Sequence, residues 1–318
     1  MNNPENLPLD VQEQIEWLLE HKQLASASWT ILAQQTGIAA GTLSVFAGGK
    51  YQGDNERVAR EVFRYRQHLQ TQAELNVEAP DIPPFYLAPT AKKLQSMFAW
   101  GQRGRIVICA LGPGCSKTTT AENYRDCMSN VWLITGKPSC AGLNNMQIEV
   151  LAALGERDAR GTGQALSRRI RDRIANSNGL LIFDEAQHFH ERAIEEIRSW
   201  HDATGIGVAL IGNYNVLARI EGGNRSAAFA QLYSRVSMKL VQNLPTTSDA
   251  RTLAEAWAVE DQKQTDFIVR MSQRPGGLRT LTMMMELATM VATSERRPRE
   301  LSHLQEAWAQ LASRPTAG

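Results

Sequence analysis

The sequence of 318 residues has little cysteine and no long hydrophobic segment. Its four cysteines form no Cys-x-x-Cys pair, which argues against a disulfide scaffold and against a zinc site. Ile106–Leu111 is among the longest apolar runs, and it is far shorter than the ~20 residues of a membrane-spanning helix. The N-terminal residues lack the basic and apolar regions of a secretory signal peptide. We therefore expect a cytoplasmic protein with no membrane attachment.

The sequence also lacks an excess of charge of either sign, since 34 Lys and Arg residues stand against 33 Asp and Glu residues. The balance changes along the chain. Residues 91–245 carry 19 basic against 13 acidic residues, whereas residues 1–70 carry six against eight. A nearly neutral protein can still present a basic surface to a polyanion, so the middle of the chain is a candidate for binding nucleic acid.

Proline is concentrated in one place. Four prolines fall within Ala79–Pro89, a pattern typical of a semi-rigid linker. Helical periodicity dominates before the linker, for example in Val11–Glu20 and Asp54–Gln70. We predict a helical N-terminal domain at residues 1–72, a linker at 73–90, an α/β core at 91–245 and a C-terminal helical lid at 246–318.

Short apolar runs alternate with amphipathic stretches after the linker, which is typical of a parallel sheet covered by helices on both faces. We predict a five-stranded parallel sheet. Beyond Ser248 the pattern is helical again, at 249–258, 262–273, 277–292 and 300–312. The predicted strands are Ile106–Ala110, Val131–Thr135, Leu180–Phe183, Val208–Ile211 and Val236–Val241.

A glycine-containing loop follows the first predicted strand and is similar to a P-loop. In the pattern GxxxxGK[ST] the two fixed glycines would fall on Leu111 and Ser116, but the Lys117-Thr118 pair is intact. Backbone N–H groups of such a loop surround phosphates, the lysine neutralises them and the Ser/Thr holds Mg²⁺. We expect ATP to be bound here by Gly112, Pro113, Gly114, Cys115, Ser116, Lys117, Thr118 and Thr119.

Two later strands end in polar residues. Asp184 and Glu185 follow an apolar strand, as in a Walker B element, and Asn213 follows the next strand. Ligands bind at the carboxyl ends of parallel strands, so all three elements are expected at one edge of the sheet. We expect Asp184 and Thr118 to hold Mg²⁺, Glu185 to polarise the attacking water and Asn213 to contact the γ-phosphate.

Three arginines complete the pattern. Arg235 resembles an arginine finger that reaches the γ-phosphate of a neighbouring subunit, and Arg225 is a competing candidate for that role. Arg279 opens a lid helix and resembles a sensor-2 arginine that binds nucleotide. Ordinary surface ion pairing is the alternative for each. Together these elements resemble AAA+ ATPases, with Lys117, Glu185, Asn213 and the fingers as the catalytic candidates.

Residues Thr30–Phe46 fit a helix-turn-helix, with Gly37 at the turn and Leu43 anchoring the second helix. Thr42 and Ser44 on that helix, with Lys50 beyond it, are candidate DNA contacts. The small uncharged side chains of Thr42 and Ser44 cannot form the bidentate hydrogen bonds that distinguish one base from another. A helical protein–protein module is the alternative.

Cations in loops of the predicted core are a second set of candidate DNA contacts. Lys137 follows the second strand, and Arg157 and Arg160 lie in a later loop. Such cations could line a groove that follows DNA phosphates. The arginines between 168 and 173 cover more than one side of a helix, so some of them are expected to face only solvent.

Five further stretches are informative. They are KYQGDNERV at Lys50–Val58, VWLIT at Val131–Thr135, PSCA at Pro138–Ala141, GGNR at Gly222–Arg225 and LYSR at Leu232–Arg235. Together they resemble one family, the target-selecting transposition B proteins of Mu-like bacteriophages. The resemblance extends from the helix-turn-helix to the lid, and the P-loop is the main departure from it.

The resemblance implies an ATPase that forms helical filaments on double-stranded DNA with little sequence preference. Such a protein delivers target DNA to a DDE transposase in the bacterial host cell and stimulates strand transfer. The transposase promotes ATP hydrolysis, which contributes to target immunity. The altered P-loop leaves the hydrolysis rate open.

Two alternatives share some of these features. An AAA+ replication initiator or helicase loader would have the same ATPase elements. A DNA-binding scaffold would bind ATP without efficient hydrolysis, which the residues at Leu111 and Ser116 favour. Retention of Lys117, Glu185 and Asn213 argues against the scaffold.

Overall fold

Two units with separate hydrophobic cores make up the chain, Met1–Pro80 and Asp81–Gly318. The computed structural model describes residues 10–77, 85–221 and 231–312.

The first unit is a bundle of helices. Asp10 caps the first helix by accepting from the backbone N–H groups of Gln12 and Glu13. Gly37 ends the second helix in the left-handed conformation (φ 73°), as the helix-turn-helix prediction required, and Leu43 is fully buried. The helices are α1 (Val11–Leu24), α2 (Trp29–Thr36), α3 (Ala40–Ala47) and α4 (Asn55–Val77).

The second unit is built on a parallel sheet in the order β2-β3-β4-β1-β5. The predicted five-stranded sheet is confirmed, with each strand within a residue of its expected ends. Because β4 lies between β3 and β1, the three strands that end in candidate site residues are neighbours. The strands are β1 (Ile106–Leu111), β2 (Val131–Thr135), β3 (Leu180–Asp184), β4 (Gly207–Gly212) and β5 (Val236–Gln242).

Both faces of the sheet are covered. Ile106 and Ile108 of β1 belong to one buried cluster, and Val107 and Cys109 belong to another. Successive strand residues point to opposite faces, which explains why this strand reads as a continuous apolar run. The covering helices are α5 (Pro89–Gln102), α6 (Lys117–Cys127), α7 (Leu143–Ala153), α8 (Gly163–Ile174), α9 (Glu191–Thr204) and α10 (Tyr214–Glu221).

The segment predicted as a linker contains more regular structure than expected. Helix α4 runs to Val77 rather than ending at Gln70. Helix α5 begins at Pro89, the last proline of the segment, because a proline fits the first helical turn where its missing N–H costs no hydrogen bond.

Within residues 246–312, the described part of the C-terminal lid, four helices lie close to the predicted positions. Thr246 and Asp249 form a capping box at the start of the first of them. None of the helices in the described ranges combines the length and apolar character that crossing a membrane requires. The lid helices are α11 (Thr247–Ala256), α12 (Gln262–Met271), α13 (Gly277–Ser294) and α14 (Leu301–Ala312).

Candidate functional site

A cavity of about 710 Å³ opens where β1, β3 and β4 end, with lid helix α13 on its other side. Its wall includes residues that the sequence predicted, namely Pro113, Gly114, Cys115, Ser116, Lys117, Thr118, Thr119, Glu185, Asn213 and Arg279. It also includes residues that were not predicted, namely Phe85, Tyr86, Trp257, Leu278, Thr282, Met283 and Glu286.

The loop after β1 keeps a P-loop course despite its altered glycines. Ser116 adopts the left-handed conformation (φ 54°) immediately before α6, where the usual motif has glycine. Leu111, at the other fixed position, is the fully buried last residue of β1. Glycine is needed instead at Gly112 and Gly114, because a Cβ there would overlap the carbonyl oxygens of Asn243 and Gly276.

Lys117 begins α6 and turns back over the loop. Its ammonium group donates to the carbonyl oxygens of Leu111 and Gly112 at 2.9 and 2.8 Å. Burial lowers the pKa of Lys117, while the nearby carboxylates of Glu185 and Asp184 act in the opposite direction. The loop thus holds a half-buried cation beside the cavity, as phosphate binding requires.

Thr118 and Asp184 are in direct contact. The Thr118 hydroxyl donates to Asp184 Oδ2 at 2.6 Å, and the backbone N–H of Glu185 donates to Asp184 Oδ1 at 2.8 Å. Asp184 is fully buried at the end of β3. A hydroxyl and a carboxylate side by side are oxygen ligands of the kind that Mg²⁺ prefers, so the residues present fit this ion.

Glu185 and Asn213 lie on the cavity wall after adjacent strands. Glu185 takes the left-handed conformation (φ 51°), and its carboxylate accepts from the side-chain amide of Gln187. The Asn213 side chain accepts from the backbone N–H of Asn215 at 2.9 Å. Because β4 separates β3 from β1, Asn213 follows a strand that lies between the strand ending at Asp184 and the strand that precedes the glycine-containing loop.

The three predicted arginines have different placements. Arg279 lies in the first turn of α13 and lines the cavity. Arg235 precedes β5 and lies at the opposite, amino-terminal edge of the sheet, where its guanidinium pairs with Asp202 at 2.6 Å. It is not among the residues that line the cavity. Arg225 lies outside the described residues.

One end of the cavity is formed mainly by aromatic and apolar side chains. Burial raises the pKa of Tyr86 to about 12, against a hydrogen bond with Thr282 that lowers it. Trp257 and Met283 come from the lid. Sequence reasoning missed these residues because Tyr86 lies in the predicted linker and the lid residues belong to no motif.

The lid contacts the core directly at this site. The backbone N–H of Leu278 donates to the carbonyl oxygen of Gly114 at 3.0 Å. The fully buried carboxylate of Asp249 accepts from the backbone N–H and hydroxyl of Thr90 at 2.8 and 2.6 Å, and also from Thr246. A buried carboxylate with these donors is satisfied, so it ties α11 firmly to the start of α5.

Comparisons with known proteins agree with this geometry. A family model described as "AAA domain" matches residues 101–220, and one described as "Mu B transposition protein, C terminal" matches residues 234–311. The "ATP-dependent target DNA activator B" of Escherichia phage Mu is 33% identical over 304 residues, which covers 95% of each chain. The chain belongs to the Mu B family.

Other relatives support this assignment. The activator B of Escherichia phage D108 is likewise 33% identical over 95% of each chain. The "Mu-like prophage FluMu DNA transposition protein B" of Haemophilus influenzae is 31% identical over 84% of this chain and 93% of its own. The solved domain III of the Thermotoga maritima replication initiation protein DnaA is similar over 72% of this chain and 95% of its own, at a TM-score of 0.47 and 12% identity.

The candidate DNA contacts of this Mu B family member are on the surface of its AAA core. Lys137, Arg157 and Arg160 are all exposed. The neighbouring Arg169 and Arg173 instead form ion pairs with Glu156. The candidate DNA contacts are therefore exposed cations in loops, whereas Arg169 and Arg173 on α8 are paired with a carboxylate.

The candidate DNA contacts of the helix-turn-helix differ in their exposure to solvent. Ser44 and Lys50 are exposed, whereas Thr42 is half-buried. Val45, on the same helix, is an exposed apolar side chain. A surface with a hydroxyl, a lysine and an apolar side chain suits either DNA or a protein partner, so both interpretations of this unit stand.

Proposed function

We propose that the chain is an ATP-dependent activator of target DNA in transposition, like its named relatives. The observation that carries the proposal is the cavity that brings together the P-loop, Glu185, Asn213 and Arg279 in a member of the Mu B family. ATP binding and hydrolysis would take place there. The exposed cations of the core would hold the DNA.

The roles of the site residues follow from their positions. The backbone of the loop and Lys117 would bind the phosphates, and Thr118 and Asp184 would hold Mg²⁺. The ion, when bound, neutralises charge on the phosphates. Glu185 would orient and polarise the attacking water, while Asn213 would contact the γ-phosphate. Arg279 would bind the phosphates from the lid.

Assembly of several copies would complete the site. Arg235 lies at the edge of the sheet opposite its own cavity, which is the place from which a residue can act on a neighbouring subunit. We propose that it reaches the neighbour's γ-phosphate, with Arg225 as the competing candidate. Nucleotide bound between subunits would make a helical filament on DNA dependent on ATP.

Binding to DNA would depend on repeated phosphate contacts. Lys137, Arg157 and Arg160 would each contribute a contact in every subunit, and many weak contacts add along a filament. The filament would present target DNA to a DDE transposase in the bacterial cytoplasm. Hydrolysis promoted by the transposase would remove the filament and contribute to target immunity.

The test is electron microscopy and sedimentation of the protein on random-sequence duplex DNA with ATP and Mg²⁺, with ADP, and without nucleotide. We expect filaments with ATP and their loss when EDTA removes Mg²⁺. Discrete complexes at defined sequences would favour a replication initiator. Filaments that form without turnover of ATP would favour a non-hydrolysing scaffold.

A substitution tests the DNA path separately. Lys137→Ala should weaken binding equally on all sequences and reduce the slope of log affinity against log salt by about 0.9, because one phosphate contact is lost. The matched control is Lys263→Ala, which removes an exposed lysine from α12 of the lid. An unchanged slope would remove Lys137 from the DNA path.

A further inference from the structure

Gln187 connects the two polar residues that line the cavity after β3 and β4. It lies in the short helical turn Ala186–His188, directly after Glu185. Its side-chain Nε2 donates to Glu185 Oε2, and its Oε1 accepts from the backbone N–H of Asn213 at 3.4 Å. Both ends of one amide are therefore engaged, which fixes how the amide plane is turned.

The end of β4 is shaped to admit this side chain. Gly212 is the last residue of that strand, and a Cβ at this position would overlap Gln187 Oε1 and crowd the side chain of Val216. Gly212 has no need of an unusual backbone conformation, since its φ is not positive. The missing Cβ thus makes room both for the glutamine amide and for the side chain of Val216.

We infer that Gln187 is a positioning residue that fixes the carboxylate of Glu185 for its work on the attacking water. This inference rests on the ATPase function proposed above. A donor on Oε2 holds the carboxylate in one orientation and directs Oε1 to the water. The link to Asn213 sets that orientation relative to the end of β4, so both polar residues on the wall keep a constant spacing.

Holding the Glu185 carboxylate in place should affect the rate of hydrolysis. A catalytic group that is displaced by about 1 Å loses roughly a hundredfold in rate, because the reacting atoms no longer align. Glu185 is half-buried, and its backbone is already in the left-handed region. Without the amide, its side chain would sample other rotamers, whereas the phosphate-binding loop would be unaffected.

The experiment compares Gln187→Ala and Gln187→Glu with the unaltered full-length protein on duplex DNA. The readouts are ATPase turnover and the dissociation constant for ATP, measured separately. We expect turnover to fall about ten- to a hundredfold in Gln187→Ala while the dissociation constant changes by less than about twofold. Gln187→Glu, which keeps an acceptor but loses the donor, should fall at least as far.

Gln262→Ala is the matched control, because the Gln262 amide also donates to a carboxylate, that of Asp266 at 2.7 Å, on an exposed face of the lid. Its turnover should equal that of the unaltered protein. Gly212→Ala tests the same inference without changing Gln187, since the new Cβ displaces the amide. It should also lower turnover more than affinity.

The outcomes separate the two proposals. Turnover in Gln187→Ala equal to that of an active parent protein would overturn the positioning role alone. An equal loss of affinity and turnover would also overturn it, because that pattern indicates a general structural defect. If the parent protein binds ATP but shows no turnover with DNA and transposase present, the proposed ATPase function fails, and the role of Gln187 fails with it.

Discussion

The two ends of the cavity are built in different ways. At one end, charged and hydroxyl groups follow the ends of adjacent strands and bond to one another, as Thr118 does to Asp184 at 2.6 Å. At the other end, Tyr86, Trp257 and Met283 come from separate parts of the chain and offer mainly apolar surface. The first end suits phosphates and a metal ion, whereas the second suits a flat base.

Only the charged end of the cavity leaves a recognisable motif in the sequence. The charged end is built from a few residue types at fixed sequence positions after strand ends, because few residue types can bind phosphate or Mg²⁺. The apolar end needs only surface of the right shape, which many residues supply. Substitutions at the two ends should therefore have different effects on nucleotide and on inorganic triphosphate.

The largest effect is expected at the charged end. Lys117→Ala should lower the affinity for ATP about a hundredfold or more, because loss of a buried charge partner costs roughly 2–5 kcal/mol. It should lower the affinity for tripolyphosphate similarly, since that ligand uses only this end. Competition of each ligand with a fluorescent ATP analogue measures both affinities.

A control keeps this result specific. Lys93→Ala removes an exposed lysine from α5 and should leave both affinities unchanged. If Lys117→Ala bound ATP and tripolyphosphate as tightly as the parent protein, the assignment of the phosphate end would be wrong. ATP-dependent binding to DNA should disappear together with the affinity.

The next effect concerns rate rather than affinity. Glu185→Gln should slow hydrolysis about a hundredfold or more, because the neutral amide cannot polarise water as a carboxylate does. Affinity for ATP should change little, so complexes with DNA should outlast those of the parent protein after excess ATP is removed. The decay of these complexes, followed by light scattering, is the measurement. Decay at the parent rate would show that Glu185 is not the residue that activates water.

Much of the fold could be predicted from the sequence because buried parallel strands leave a local pattern. The run at Ile106–Leu111 is apolar throughout since both faces of β1 are covered. The end of α4 could not be predicted in the same way. No proline or glycine follows Gln70 closely, so the helix continues to Val77 without a stop signal.

Sequence motifs pointed to most of the charged residues that line the cavity, but the details of the cavity wall depend on long-range contacts. Gly114 must lack a Cβ because the carbonyl oxygen of Gly276 in the lid approaches it. The sequence around Gly114 does not predict this contact, since Gly276 is far away along the chain. The same holds for Tyr86, which lies in the predicted linker but packs against the lid helices and lines the cavity. The hydrogen bond between the Gln187 side chain and the backbone N–H of Asn213 could not be predicted either, because it depends on how β3 and β4 lie side by side.

The smallest effect is expected at the apolar end. Met283 lines the cavity and is 43% exposed, so Met283→Ala should remove apolar wall with little cost to folding. We expect about a fivefold loss of ATP affinity, equivalent to ~1 kcal/mol of lost apolar contact, and no change for tripolyphosphate. The same competition assay measures both. Equal losses for the two ligands would mean that the base does not use this end, and the contrast between the two ends would no longer hold.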